Sequence, residues 1–187
     1  MSARRFIVLV AALSAATSLQ AQPASTAKAD SSGIGGFTTG PIYVGGRIWA
    51  GGLEGDGSLA FGGMVEKGFT KPGAYGPGII SGGVSVDYYS WGNSFFNYNY
   101  VPVTVFSNYN FVLKNRKLSP YVGLGFGYTT VSASVEGTRV GIGSALGSYS
   151  YFAAQLGGRY FVNDRMALQA HAGVGVGAIS LGATFKL

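Results

Sequence analysis

From Pro41 to its last residue the chain alternates apolar and polar side chains, and the closing stretch AISLGATFKL, residues 178–187, keeps the pattern to the end. Ile179, Leu181, Ala183, Phe185 and Leu187 fall on one face, and Ser180, Gly182, Thr184 and Lys186 on the other. A period of two is the signature of a β-strand with unlike faces. Chain ends ordinarily fray. An amphipathic strand that runs to the terminus therefore needs a partner for its edge, and YVGGRIWAGG, residues 43–52, is the expected one.

Eight strand-like stretches are expected, at about 42–52, 58–69, 78–91, 98–114, 119–136, 148–162, 166–174 and 177–187. TKPGAYGP, NRKLSP and ND read as short polar turns between them. LEGDG, NSFFNYN, GTRVGIGSALG and the link at Val174 to Gly177 make up the alternate set. In an up-and-down meander the two sets lie at opposite ends. No segment carries a helical stripe, and none after residue 21 reaches the 18 consecutive apolar residues of a membrane helix.

One face of the expected strands is almost wholly apolar, with Lys67 its main breach. The other carries Arg47, Glu66, Asp87, Gln155, Arg159, Gln169, His171 and Lys186 among many glycines. A soluble barrel would turn a face rich in Lys and Glu to water. This polar face has few charges, of both signs, in a chain that is only 11% charged where a soluble domain carries roughly 25%. It suits a crowded lumen, with the apolar face toward lipid, where only closed barrels and helices satisfy the backbone. A soluble barrel holding an apolar ligand requires the opposite orientation. Aromatics near the expected strand ends, Tyr43, Trp49, Tyr88, Tyr89, Trp91, Tyr100, Tyr151 and Phe161 among them, are expected to form girdles at the two membrane interfaces.

The start of the chain has its own composition. MSARR and FIVLVAALSAA form the positive and apolar regions of a secretory signal peptide, residues 1–21, with cleavage expected after Ala21. Loss of Arg4 and Arg5 lowers the formal net charge from +6 to +4. No dense basic run suggests nucleic acid. Residues 22–40, small and polar, are expected to be a flexible periplasmic linker ahead of a barrel at 41–187. The chain has no cysteine, which excludes thiol nucleophiles and Cys-ligated metal sites.

VPVTVFSNYNFVLKNRKLSPYVGLGFGY, residues 101–128, resembles the central hairpin of the small outer-membrane β-barrel proteins, the OmpA/OmpX-like porin-family group. YVGGRIWAGG and SLGATFKL resemble that group's first and last strands. The resemblance spans residues 41–187. It implies an all-β, eight-stranded antiparallel up-and-down transmembrane β-barrel in the cell envelope of a Gram-negative bacterium, exported to the outer membrane. It also implies outer-membrane lipids and lipopolysaccharide as surroundings. The terminal strand, with Phe185 and Leu187, would be the signal read by the outer-membrane assembly machinery. The group usually ends on Phe, whereas this chain ends on Leu187.

Eight strands leave an interior that side chains just fill. The inward polar set is thus expected to plug the lumen, with Arg47 and Glu66 on adjacent strands as a pair; a narrow gated channel for ions or small solutes is the alternative. His171 is followed by Ala172 and Gly173, so a neighbouring hydroxyl nucleophile is missing and no acyl-transfer set is apparent. No cofactor or metal motif appears: the Gly-rich stretches lie outside any strand-to-helix context. Glu54 and Asp56 read as a solvated loop. Lys71, Lys114, Arg116 and Lys117 fall at the inner turns, where anionic headgroups, peptidoglycan or water meet them. The expectation is a monomeric, non-catalytic membrane barrel with a structural or surface-interaction role.

Overall fold

The computed structural model describes residues 36–52, 59–92, 96–135, 138–140 and 147–187. The expected signal peptide, most of the linker, and Glu54 and Asp56 lie outside them. Nine strands follow in order: β1 (Ile42–Gly52), β2 (Leu59–Gly68), β3 (Gly78–Gly92), β4 (Phe96–Phe111), β5 (Leu118–Val135), β6 (Thr138–Val140), β7 (Tyr149–Phe161), β8 (Met166–Val174) and β9 (Gly177–Lys186). Eight of them form the wall. The three-residue β6, within a stretch expected to be loop, pairs only with the far end of β5.

Every wall strand pairs antiparallel with its neighbours, and β4 joins β5 to complete the circuit. The seam is β1 on β9, in register from Tyr43↔Lys186 to Gly52↔Gly177. The last residue is bonded too: Leu187 N donates to the Ile42 carbonyl at 2.8 Å. Both sheet edges are thereby removed. The end of the barrel that carries both chain ends is here called the terminal end, and the other the loop end.

Alternation sorts the side chains as a lipid-facing barrel requires. Leu124 is 72% exposed and Phe152 81%, with Ile48, Phe61, Val105, Phe126, Leu181 and Phe185 also outward. Asn108, Asn110, Thr129 and Arg159 are fully buried inside. This polarity rules out the soluble barrel with an apolar interior. Inward glycines make room for the large polar groups. A Cβ at Gly62 would fall on the Asp87 carboxylate, and one at Gly123 on the Asn108 amide.

The aromatics correct the expectation of girdles in part. Trp91, Tyr128 and Tyr160 are exposed on the outside, but Tyr43, Trp49, Tyr89, Tyr100 and Phe161 are buried within the barrel. They share the parity of Arg47, Asp87, Asn108 and Arg159 on their own strands, and that parity turns them inward whatever their distance from a strand end. Two apolar layers result. Phe37, Tyr43, Ile79, Phe161 and Ala167 close the terminal end. Trp49, Ala60, Tyr89, Tyr100 and Val176 close the loop end, with Tyr98, Val131 and Tyr151 against them.

Phe37 reaches its layer because residues 36–40 fold back into the mouth of the barrel. Thr39 bridges Gly68 in parallel, and its Oγ1 donates to the Thr70 carbonyl at 2.5 Å. The Thr38 amide donates to the Tyr43 hydroxyl at 2.8 Å. The expected linker therefore gives way at Gly36 to chain that belongs to the barrel.

Candidate functional site in the barrel lumen

Between the two apolar layers lies a polar one, built by register. Arg47 on β1 and Asp87 on β3 both stand opposite Gly62 of β2. With no side chain at Gly62, the two meet across β2: Nε donates to Oδ1 at 3.0 Å and Nη2 to Oδ2 at 2.7 Å. Trp49 Nε1 adds a bond to Oδ1 at 3.0 Å, and Ser85 Oγ one to Oδ2 at 3.3 Å.

The second ion pair spans the lumen. Arg159 on β7 and Glu66 on β2 come from opposite walls, and Arg159 Nη2 donates to Glu66 Oε2. Glu66 Oε1 also accepts from Ser81 Oγ at 2.5 Å and Asn108 Nδ2 at 3.0 Å. Arg159 Nη1 donates to Asn110 Oδ1 at 2.7 Å. The guanidinium lies between two rings, 4.8 Å from the centroid of Phe37 and 4.6 Å from that of Tyr121. Such contacts stabilise a desolvated cation by about 2 kcal/mol.

The expected Arg47–Glu66 pair is therefore replaced by Arg47–Asp87 and Arg159–Glu66. The reason is register. Glu66 stands opposite Tyr43, four residues along β1 from Arg47. Four residues of strand separate them by about 13 Å.

Gln155 is tied into the second network through Nε2 to Asn108 Oδ1, 2.6 Å. Gln169 accepts from Thr184 Oγ1 at 3.0 Å, and its amide nitrogen sits 3.5 Å from Met64 Sδ. Lys186 stands half-exposed at the terminal end and joins neither described ion pair. Phe185 and Leu187 point outward and are exposed.

His171 has a partner that sequence proximity did not reveal. It pairs across the β8–β9 hairpin with Ser180, whose Oγ lies 3.1 Å from His171 Nε2; the Tyr121 hydroxyl lies 3.0 Å from Nδ1. The ring also sits edge-on to Trp49 with centroids 4.4 Å apart. A hydroxyl beside an imidazole is half of a nucleophilic set, but here the residue behind the imidazole is a tyrosine in place of a carboxylate. Ser180 and His171 are both buried, and neither lines the cleft at the terminal end or the small void beside Arg47. The hydroxyl missing from the sequence around His171 is thus supplied by β9, inside the barrel.

The lumen itself contains a void of about 20 Å³ bordered by Arg47, Trp49, Ser85 and Gln155, the size of a single water molecule.

No family model matches the chain, and no curated protein matches it either. Solved structures do. The outer membrane protein OprG from Pseudomonas aeruginosa superposes with a TM-score of 0.54 at 14% identity, covering 83% of this chain and 99% of its own. The chain has the fold of the small outer-membrane β-barrels. Neisserial surface protein A gives a TM-score of 0.54 at 15% identity, over 78% of this chain and 96% of that one. A barrel from the de novo design of transmembrane β-barrels gives 0.52 at 17% identity, over 81% and 99%. A shared fold of this kind does not by itself assign an activity.

Proposed function

We propose that the protein is a non-catalytic integral barrel of the bacterial outer membrane, with a structural or surface-interaction role and a lumen closed by its own side chains. One observation carries the reading: the Arg159–Glu66 pair spans the lumen from wall to wall, with the guanidinium held between the rings of Phe37 and Tyr121. The export signal expected from the sequence at residues 1–21 and the apolar exterior support the location, with the terminal end toward the periplasm. The terminal strand, Phe185 foremost, is the segment offered to the assembly machinery, and lipids and lipopolysaccharide surround the wall. The protein acts as a monomer, because the exposed apolar residues are distributed around the wall as lipid contact demands.

Planar-bilayer recording tests this. The expected result is no steady conductance from the wild-type barrel. Steady single-channel steps that disappear in Arg47→Gln or Glu66→Gln would replace the closed barrel with the narrow gated channel.

A further inference from the structure

The terminal end is strongly basic. Lys67, Lys71, Lys114, Arg116, Lys117 and Arg165 are all exposed there, and Asp164 is the one described exposed acid among them. A cleft of about 330 Å³ opens in this collar between residues 36–39, the turn after β2 and the turn from β4 to β5. Lys71 and Arg116 line it, together with the hydroxyl-bearing Thr38 and Ser119, and no carboxylate among the described residues does. Its outer wall is apolar, formed by Phe111 and Leu118. That wall continues along the outside of the same two strands, where Tyr109 stands directly opposite Val122. Cations inside, hydroxyls beside them and an apolar path leading out onto the lipid face are the chemistry of an anionic amphiphile.

We propose that this cleft holds the headgroup of one anionic phospholipid, with its acyl chains laid against Tyr109 and Val122. Lys71 and Arg116 neutralise the phosphate, and Thr38 and Ser119 supply hydroxyl donors. The proposal rests on the reading that the outer wall meets lipid. Failure of that reading appears as protein lost from vesicles altogether, which differs from protein that inserts without selecting a lipid.

The test is native mass spectrometry of full-length protein released from vesicles of phosphatidylcholine with and without phosphatidylglycerol. One phosphatidylglycerol is expected to stay bound per barrel. K71Q/R116Q is expected to lower that retention about tenfold or more, the order that two close cations contribute. K114Q/K117Q removes the same charge from the collar outside the cleft and is expected to retain the lipid, as is the charge-preserving K71R/R116K should the glutamine variant fold poorly. Equal loss in both glutamine variants would reduce the effect to diffuse surface attraction and overturn the proposal. So would phosphatidylcholine held as tightly as phosphatidylglycerol, or glycerol phosphate alone competing the lipid away. Deleting residues 22–35 is expected to leave retention unchanged; a tenfold rise would make that segment the occupant of the cleft and overturn the lipid assignment.

Discussion

Arg47 and Asp87 hold each other through two parallel hydrogen bonds across a strand that has no side chain between them. A bidentate pair of this kind fixes geometry as well as charge. Buried in the barrel, it is costly to break, because removal of one partner leaves the other charged and uncompensated.

The pairing makes a specific claim about coupling. Glu66→Ala is expected to destabilise the barrel by about 3–5 kcal/mol, far more than Glu54→Ala, whose surroundings LEGDG read as a solvated loop from sequence. In a double-mutant cycle Glu66→Gln should couple strongly with Arg159→Gln and add independently to Arg47→Gln. Urea unfolding in detergent or lipid gives the three free energies. Coupling of Glu66 to Arg47 would mean that the register of β1 on β2 is wrong.

Gly62 is the gap through which Arg47 reaches Asp87, so Gly62→Ala should cost about 1–3 kcal/mol, the usual penalty for forcing atoms into a filled space. Gly46 faces outward, with its nearest neighbour 3.9 Å from an added Cβ. Gly46→Ala should be tolerated. Melting of the two variants side by side separates a lumen glycine from a wall glycine.

Leu124 lies near the middle of β5 with its side chain turned out. An arginine there would sit in hydrocarbon, at a cost of about 2–4 kcal/mol at the bilayer midplane. Leu124→Arg is therefore expected to insert poorly into vesicles and to wash off membranes in carbonate. A barrel surrounded by water would accept that substitution without effect.

The seam depends on the terminal strand. Deletion of residues 179–187 removes every β9 partner of Tyr43 through Ala50 and should abolish the compact, heat-modifiable form on gels. Phe185→Ala is expected to slow assembly in cells more than it lowers the stability of the refolded barrel, since its side chain stands outside the polar layer. Equal effects on both would make Phe185 a packing residue only.

Much of this was visible in the sequence because a bilayer imposes one strict rule on a barrel: alternate residues must differ. The rule gave all eight wall strands to within a few residues and turned Arg47, Glu66, Asp87, Arg159, Gln169 and His171 inward. It also held the answer for Tyr43 and Tyr89, which share parity with Arg47 and Asp87; weighing their place near strand ends above their parity assigned them to the wrong side. Other features depend on register, which alternation does not specify. The partners of Arg47 and Glu66 follow from a four-residue offset between β1 and β2, and the approach of Ser180 to His171 follows from the turn between β8 and β9. β6 is three residues long, too short to leave a pattern. The seating of Phe37 rests on a single aromatic in a small polar stretch, and only the mouth of the finished barrel gives it a site.

That last point has a consequence for the order of assembly. Phe37 rests against Tyr43 of β1, and its layer also draws on Ile79 of β3, Phe161 of β7 and Ala167 of β8. Between β1 and β8 lies β9, which joins the two halves of the wall. The socket for Phe37 therefore does not exist in an open sheet and is completed only when the first and last strands zip together. Residues 36–40 are therefore expected to dock after closure. Shielding of a probe at position 37 would mark the moment the barrel shuts.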